Sequence, residues 1–327
     1  MDTTIAFCHL KQHKLLIVKG PDAKKFLQGQ VTCDINALNQ EKKTSVPAPL
    51  GAHCTHKGRV VFSFRAVELS PEIESQEIAL SIPSDIVDIA TAALKKYSVF
   101  SKVDINIDSD HYQLFGINGT NAKNILQALA AGEHIPEETN TACHTSAGTI
   151  ICIAKECYEL WLNAKQAKRF STYIASESMQ NEVMSNEGIL DDEYWDEVKI
   201  KNGIAEIHTN TSGAFTPHAI NYHNMGSAVS FSKGCYTGQE VVARMQYLGN
   251  LKRQLYLFTS KTTIPTTISA GDSLYVANKA QSVGDIVMIS HYKQQTYLLA
   301  STKVECAEKE VVFADASNEF PLQLMIH

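Results

Sequence analysis

Residues 230–244 read SFSKGCYTGQEVVAR, and the core of that run, Lys233-Gly234-Cys235-Tyr236-Thr237-Gly238-Gln239-Glu240, gathers a cation, a thiol and a carboxylate around a glycine-flexed turn. Thr237 and Glu240 have the Thr-x-x-Glu spacing of a capping box, so a helix is expected with Thr237 as N-cap and Glu240 at N3. Val241, Val242, Met245 and Leu248 continue it as an apolar stripe, and Gly249-Asn250 ends it. Cys235 then precedes a helix N-terminus, where unpaired N–H groups and the Lys233 ammonium both favour thiolate over thiol. The alternative is a buried cysteine acting as a small hydrophobe, with the glycines serving only the turn.

Outward from this stretch, 327 residues and 36.0 kDa are enough for two or three domains at about 100–200 residues each. A net charge of -6 and a pI near 6.1 argue against a dedicated nucleic-acid binder and leave room only for a local basic patch. No apolar run reaches bilayer length, and the opening MDTTIAFCHLKQHK has neither the basic start nor the apolar core of an export signal. Cys8, Cys33, Cys54, Cys143, Cys152, Cys157, Cys235 and Cys306 include no Cys-x-x-Cys pair, so they read as thiols of a reducing cytoplasm. In His53-Cys54-Thr55-His56 a strand would send His53 and Cys54 to opposite faces, so no metal site is expected there.

The order of elements suggests a fold of class α+β. A strand at 15–18 and the turn Gly20-Pro21-Asp22 lead into a helix with Phe26 and Leu27 inward. Strands follow at 44–54, 59–67 and 76–82, then a helix capped by Ser84 with Ile86, Ile89, Ala90, Ala93, Leu94 and Tyr97 on its inner face. The order then recurs: a strand at 112–117, a helix at 121–131, strands at 149–154 and 159–163, and a helix at 164–176. A further helix over 191–201 carries Trp195, and 207–230 is an irregular stretch of the kind that often carries function. Short strands at 254–259, 273–277, 285–290, 296–301 and 311–313 read as a separate β-barrel or sandwich. The expected units are 1–110, 111–250 and 251–327.

Several blocks in sequence order resemble the YgfZ group of GcvT-related folate-binding proteins. They are GPDAKKFLQGQVT at 20–32, Ala52-His53-Cys54 with Lys57-Gly58, LKKYSVFSKV at 94–103, Gly213-Ala214-Phe215-Thr216-Pro217, and SFSKGCYTGQEVVAR with Gly249 and Lys252-Arg253. The resemblance implies a three-part cloverleaf: a duplicated α+β folate-binding region followed by a C-terminal antiparallel β-barrel. It implies tetrahydrofolate or a one-carbon derivative in a central cleft, with Cys235 at its edge. It further implies support of iron-sulfur enzymes, including the tRNA methylthiotransferase, and a link to ATP-DnaA.

By the same resemblance, two ligand positions fall on His13 and Trp195, and Tyr236, Gln239, Glu240 and Arg244 join them as cofactor-binding residues. Trp195 suits stacking on a pterin or aminobenzoyl ring, although a core aromatic on an amphipathic helix reads equally well. Arg244, Lys252 and Arg253 are candidates for the glutamate tail. There are also departures. Phe62 and Ser63 stand where true aminomethyltransferases carry an acidic pair, and neither ionises at neutral pH, which disfavours aminomethyl transfer. His218 stands where relatives have an amide or acid.

The leading expectation is therefore a folate-dependent accessory factor in which Cys235, activated by Lys233 and the helix start, handles a thiol, persulfide, one-carbon adduct or cluster-derived species. An active tetrahydrofolate-dependent aminomethyltransferase or demethylase is the alternative. A third reading is a binding module for tRNA or a protein client, and the acidic balance weighs against direct nucleic-acid contact.

Overall fold

The computed structural model describes residues 5–38, 44–70, 76–108, 111–180, 184–249, 251–260, 262–279 and 281–325. The chain opens with β1 (Ile5–His9), β2 (His13–Lys19) and α1 (Ala23–Gln28). It continues through β3 (Val46–Pro47), β4 (Leu50–Cys54), β5 (Val60–Ser70) and β6 (Glu77–Pro83) to α2 (Val87–Lys95) and β7 (Asp104–Asp108). The expected strand 44–54 is split because Pro47 and Pro49 have no N–H to give a ladder. Next come β8 (Tyr112–Asn118), α3 (Ala122–Leu129), β9 (Thr141–Thr145), β10 (Gly148–Ala154), β11 (Cys157–Asn163), α4 (Ala164–Gln180) and β12 (Met184–Leu190). α5 (Asp192–Lys201) and α6 (Gln239–Leu248) bracket the irregular stretch. The remainder is β13 (Arg253–Ser260), β14 (Ser273–Val276), β15 (Gly284–Ser290), β16 (Thr296–Lys303), α7 (Val304–Lys309), β17 (Val312–Phe313) and β18 (Pro321–Leu324).

The duplication is plain in the strand order. One sheet runs β4-β5-β6-β2-β7, and the other, taken from its far end, runs β3-β9-β10-β11-β8-β1-β12. Each strand of the first has a counterpart in the same place in the second, with β3 added at the edge and β1 inserted between β8 and β12. β1 runs antiparallel to β8 and parallel to β12. A division at residue 110 therefore does not separate the sheets. Ile5, Ala6, Phe7 and Cys8 are all buried, so β1 is covered on both faces as a central strand requires, on one of them by α4, whose Phe170 ring lies 5.9 Å from that of Phe7.

The C-terminal strands close a barrel in the order β13-β16-β15-β14-β17-β18. β18, which the sequence pattern does not reveal, is short and begins with a proline. The barrel has its own core of Phe258, Leu274, Ile286 and Leu298. A larger cluster joins all three parts: Phe62 and Leu80 of the first sheet, Trp161 of the second, Trp195 of α5, and Met288 and Leu299 of the barrel.

α5 stands at that junction, touching β1, β15 and β16. The Asp191 side chain caps it by accepting from the Tyr194 N–H, with Asp192 and Glu193 in its first turn and Lys199 and Lys201 in its last. On the barrel side, Ser290 Oγ donates to the Glu193 carbonyl at 2.9 Å and Lys201 Nζ lies 4.2 Å above the Tyr297 ring. At the outer end of the first sheet, Gly20 has φ +135° and a Cβ there would come within 2.3 Å of the Lys102 carbonyl oxygen. The adjoining Asp22 carboxylate accepts from the Lys102 N–H at 2.8 Å, so the turn after α2 is pinned at its base.

Candidate functional site

The stretch around Cys235 lies across the β4–β5 turn. Gly238 has φ +86°, and a Cβ on it would fall 2.5 Å from the Thr55 carbonyl oxygen, so only glycine allows this approach. Gly238, not Thr237, is the N-cap of α6. Thr237 donates its N–H to the Gly29 carbonyl at 3.2 Å, and its hydroxyl meets Gln30 Oε1 at 3.3 Å, which takes it out of the capping role. Glu240, one place nearer the helix start than a capping box requires, pairs instead with Arg244 at 3.2 Å, both groups well exposed. Gln239 Nε2 reaches the Gly234 carbonyl at 3.5 Å. The apolar stripe of α6 is narrower than expected: Val242 is buried, Leu248 is 83% exposed.

Lys233 does not point its charge at the thiol. Its Nζ donates to the Val31 carbonyl at 2.9 Å and the Cys33 carbonyl at 2.7 Å, and lies 5.2 Å from the Tyr236 ring centroid. Burial pushes the Lys233 pKa down to about 8. Lys233 is thus a tether holding the Cys235 loop against residues 31–33. Tyr236 is buried, and its hydroxyl has no hydrogen-bond partner. Cys235 itself is exposed, while the other seven cysteines are buried, so the reading of Cys235 as a small buried hydrophobe falls. Burial pushes Cys33 and Cys54 up to about 12, which leaves them as inert thiols.

A second group of polar residues lies inside the molecule. Alternation along β5 puts Ser63 and Arg65 on one face, both buried. Ser63 Oγ accepts from the Ile207 N–H at 2.8 Å, and Arg65 Nη1 donates to the Ala48 carbonyl and Asn140 Oδ1, each at 2.8 Å. The buried Tyr222 hydroxyl donates to the Ala205 carbonyl at 2.7 Å. Nearby, Lys199 of α5 donates to Glu206 at 2.6 Å and lies 3.2 Å from Asp196. His13 Nε2 is 3.1 Å from Glu206, and Nδ1 is 3.8 Å from Asp192. Burial and the Lys199 charge push the His13 pKa down, but Glu206 and Asp192 outweigh them and raise it to about 9. Burial pushes Glu206 up; the Lys199 and His13 charges prevail and hold it well below the usual carboxylate range.

This cluster is not foreseen from the sequence. The available signal was a lysine one helical turn beyond Trp195 on the same face of α5. His13, expected as a ligand position, is a 7% exposed member of an ion cluster. Trp195 is fully enclosed, and a Cβ on Gly116 of β8 would come within 2.6 Å of its ring, so the indole packs directly on that strand. Its Nε1 has no hydrogen-bond partner.

The remaining candidates are placed away from this interior. His218 is 1% exposed, with Nε2 3.1 Å from Gln246 Oε1 of α6 and its ring 4.7 Å from that of His223. Arg253 pairs with Asp285 at 2.6 Å, and Lys252 is exposed. His53 Nδ1–H donates to the Gln30 carbonyl at 2.8 Å and its ring stacks on Phe62, while Cys54 is buried on the other face of β4. Among the described residues, no three of His, Cys, Asp and Glu gather as a metal set.

For a folate-type ligand the fit is therefore selective. Trp195 offers an unpartnered buried donor that a heterocyclic acceptor would satisfy. His13, Glu240, Arg244 and Arg253 are held by partners of their own.

No protein-family model matches the chain. Among individual proteins it is 32% identical over 282 residues to the tRNA-modifying protein YgfZ of Photobacterium profundum, covering 86% of this chain and 76% of that one. It is also 32% identical over 255 residues to the tRNA-modifying protein YgfZ of Blochmanniella pennsylvanica, covering 78% and 72%. The fold is similar to the glycine cleavage system aminomethyltransferase T from Bartonella henselae, with a TM-score of 0.72 at 14% identity over 99% of this chain and 85% of that one. Among the described residues, no helix is long and apolar enough to cross a membrane.

Proposed function

Because this chain belongs to the family of the tRNA-modifying protein YgfZ, we propose that it is a folate-binding accessory protein of tRNA modification with no aminomethyl transfer of its own. One observation carries the second half of that reading: Ser63 is fully buried and its hydroxyl is held by the Ile207 N–H. A serine locked in this way offers no carboxylate to stabilise a developing ammonium. Bound tetrahydrofolate would supply a one-carbon carrier, with Trp195 as the donor to its ring. Cys235, the exposed thiol, would act on the adduct or on sulfur delivered to it. In this reading the protein works in the cytoplasm, and iron-sulfur enzymes such as a tRNA methylthiotransferase are transient partners. An effect on the level of ATP-DnaA is a further expectation of the same reading.

Calorimetric titration with reduced folates tests the ligand. Micromolar binding is expected, and Trp195→Phe, which removes only the indole N–H and some ring area, should weaken it about tenfold. Absence of binding would reject the proposal. In cells lacking the wild-type protein, Cys235→Ala and Cys235→Ser should both lower tRNA methylthiolation, whereas full modification in both would make the thiol dispensable. Turnover of an aminomethyl or N-methyl donor by the purified protein, abolished by Ser63→Ala, would establish the transferase or demethylase reading instead.

A further inference from the structure

We propose that the turn after α2, Lys95-Lys96-Tyr97-Ser98-Val99-Phe100-Ser101-Lys102, is a binding surface for single-stranded RNA. Phe100 is 99% exposed, Val99 76% and Tyr97 44%. The helical pattern would have buried Tyr97 with Leu94; instead the helix ends at Lys95 and the chain turns outward. These side chains are not displayed by a loose loop. Ser101 N–H bonds the Ser98 carbonyl at 2.8 Å and Val103 N–H bonds the Ser101 carbonyl at 2.9 Å. Beneath them, Gly20 and the Asp22 carboxylate hold Lys102.

Charge on the turn is one-sided. Ion pairs of lysines among the described residues take Lys19, Lys24, Lys123, Lys199, Lys201 and Lys279 and none of Lys95, Lys96 and Lys102, which are exposed; Lys96 Nζ lies 5.6 Å from the Tyr97 ring centroid. Asp22, the carboxylate that touches the turn, is engaged by a backbone N–H. Exposed rings interleaved with free cations are how proteins hold unpaired nucleotides, the rings stacking on bases and the cations on phosphates. Such a patch works locally, so a net charge of -6 does not oppose it.

A chain of contacts through the buried His53 connects this turn to the thiol loop. The Tyr97 ring lies 6.1 Å from that of His53, His53 bonds the Gln30 carbonyl, and the Gln30 side chain meets Thr237, two residues beyond Cys235 in sequence. An RNA strand laid over Phe100 and Tyr97 would then lie on the side of the molecule that this relay joins to the Cys235 loop. The choice of RNA over another phosphate-bearing surface rests on the tRNA reading proposed above.

Fluorescence anisotropy with a labelled stem-loop RNA, the matching full duplex, and phosphatidylserine-containing vesicles tests this surface. The stem-loop should bind more tightly than the duplex. The logarithm of its affinity should fall with the logarithm of salt at a slope of about -2, from three lysines at about 0.7 each. Combined Lys95→Gln, Lys96→Gln and Lys102→Gln should abolish that slope, and Phe100→Ala should weaken binding about tenfold without moving the thermal transition. No RNA binding, RNA binding indifferent to these changes, or preference for vesicles would overturn the proposal. Reduced-folate titration of the same preparations separates the two ideas. In the unmodified protein, no RNA binding with folate binding intact rejects only this surface, and no folate binding with RNA binding intact rejects only the folate reading; in the lysine and Phe100 variants, weakened RNA binding with folate binding intact is the expected result.

Discussion

His13 shows how far a side chain's setting can lie from its sequence neighbourhood. Gln12 and Lys14 beside it are ordinary polar residues, yet Asp192, Lys199 and Glu206 from across the chain enclose it. Its pKa of about 9 lies above the 6.5 of an unperturbed histidine. The folded protein thus holds a proton that the unfolded chain releases, and this contribution is complete below pH 6.5 and is lost as pH rises to 9. Chemical denaturation across that window should show the wild type losing on the order of 2 kcal/mol, with His13→Gln nearly flat. A wild-type profile as flat as the variant's would show that the ring is neutral throughout. Lys233 teaches a related lesson. Its place two residues before Cys235 suggests a cation beside the thiol, but sequence proximity says nothing of side-chain direction, and the ammonium turns to the Val31 and Cys33 carbonyls. The exposure of Cys235 likewise becomes legible only with the fold.

At the scale of elements, legibility follows burial only in part, since the buried β1 is missed. Strands with apolar runs, such as β2, β5 and β10, are evident from composition, and α5 begins one residue from the expected start. β1, β9 and β18 escape notice, and so do two strands that do not look like strands: β7 reads DINID, with only Ile105 buried, and β12 reads MSNEGIL. Both are paired because the neighbouring strand needs a partner, which no local pattern records. The capping box fails similarly. Thr237 has the right spacing, but Gln30 and Gly29 compete for it, and Gly238 with φ +86° starts α6 in its place. Gly20 offers a direct test of the element after α2. Alanine there would combine an unfavourable φ of +135° with a 2.3 Å approach to the Lys102 carbonyl. Gly20→Ala should destabilise the protein by about 3 kcal/mol and loosen residues 98–103 in hydrogen exchange. Unchanged protection there would mean that Asp22 alone secures the turn.

For the whole molecule, the three-part organisation is visible as a recurring element order followed by a change to short strands. What the sequence conceals is that the parts share one interior. Met288 of the barrel is 2% exposed, and its sulfur accepts from the Glu206 N–H at 3.0 Å, beside the ion cluster of α5. The barrel should therefore not unfold by itself. Tryptophan fluorescence, which reports Trp161 and Trp195 in the central cluster, and hydrogen exchange of β13 and β16 should give one midpoint. Met288→Ala should lower the stability read by both probes equally, by about 2–4 kcal/mol; two separate midpoints would show an autonomous barrel. A last consequence comes from β1, the strand between β8 and β12. It is synthesised well before its neighbours in the sheet, for Phe7 pairs with Ile117 and Ile189. Until those residues are synthesised, an apolar strand waits without its neighbours, so the second sheet closes late and across long stretches of chain. A polypeptide cut between the two repeats would carry this strand away on the wrong fragment. Splitting or permuting the protein should succeed only if residues 5–9 travel with the second repeat.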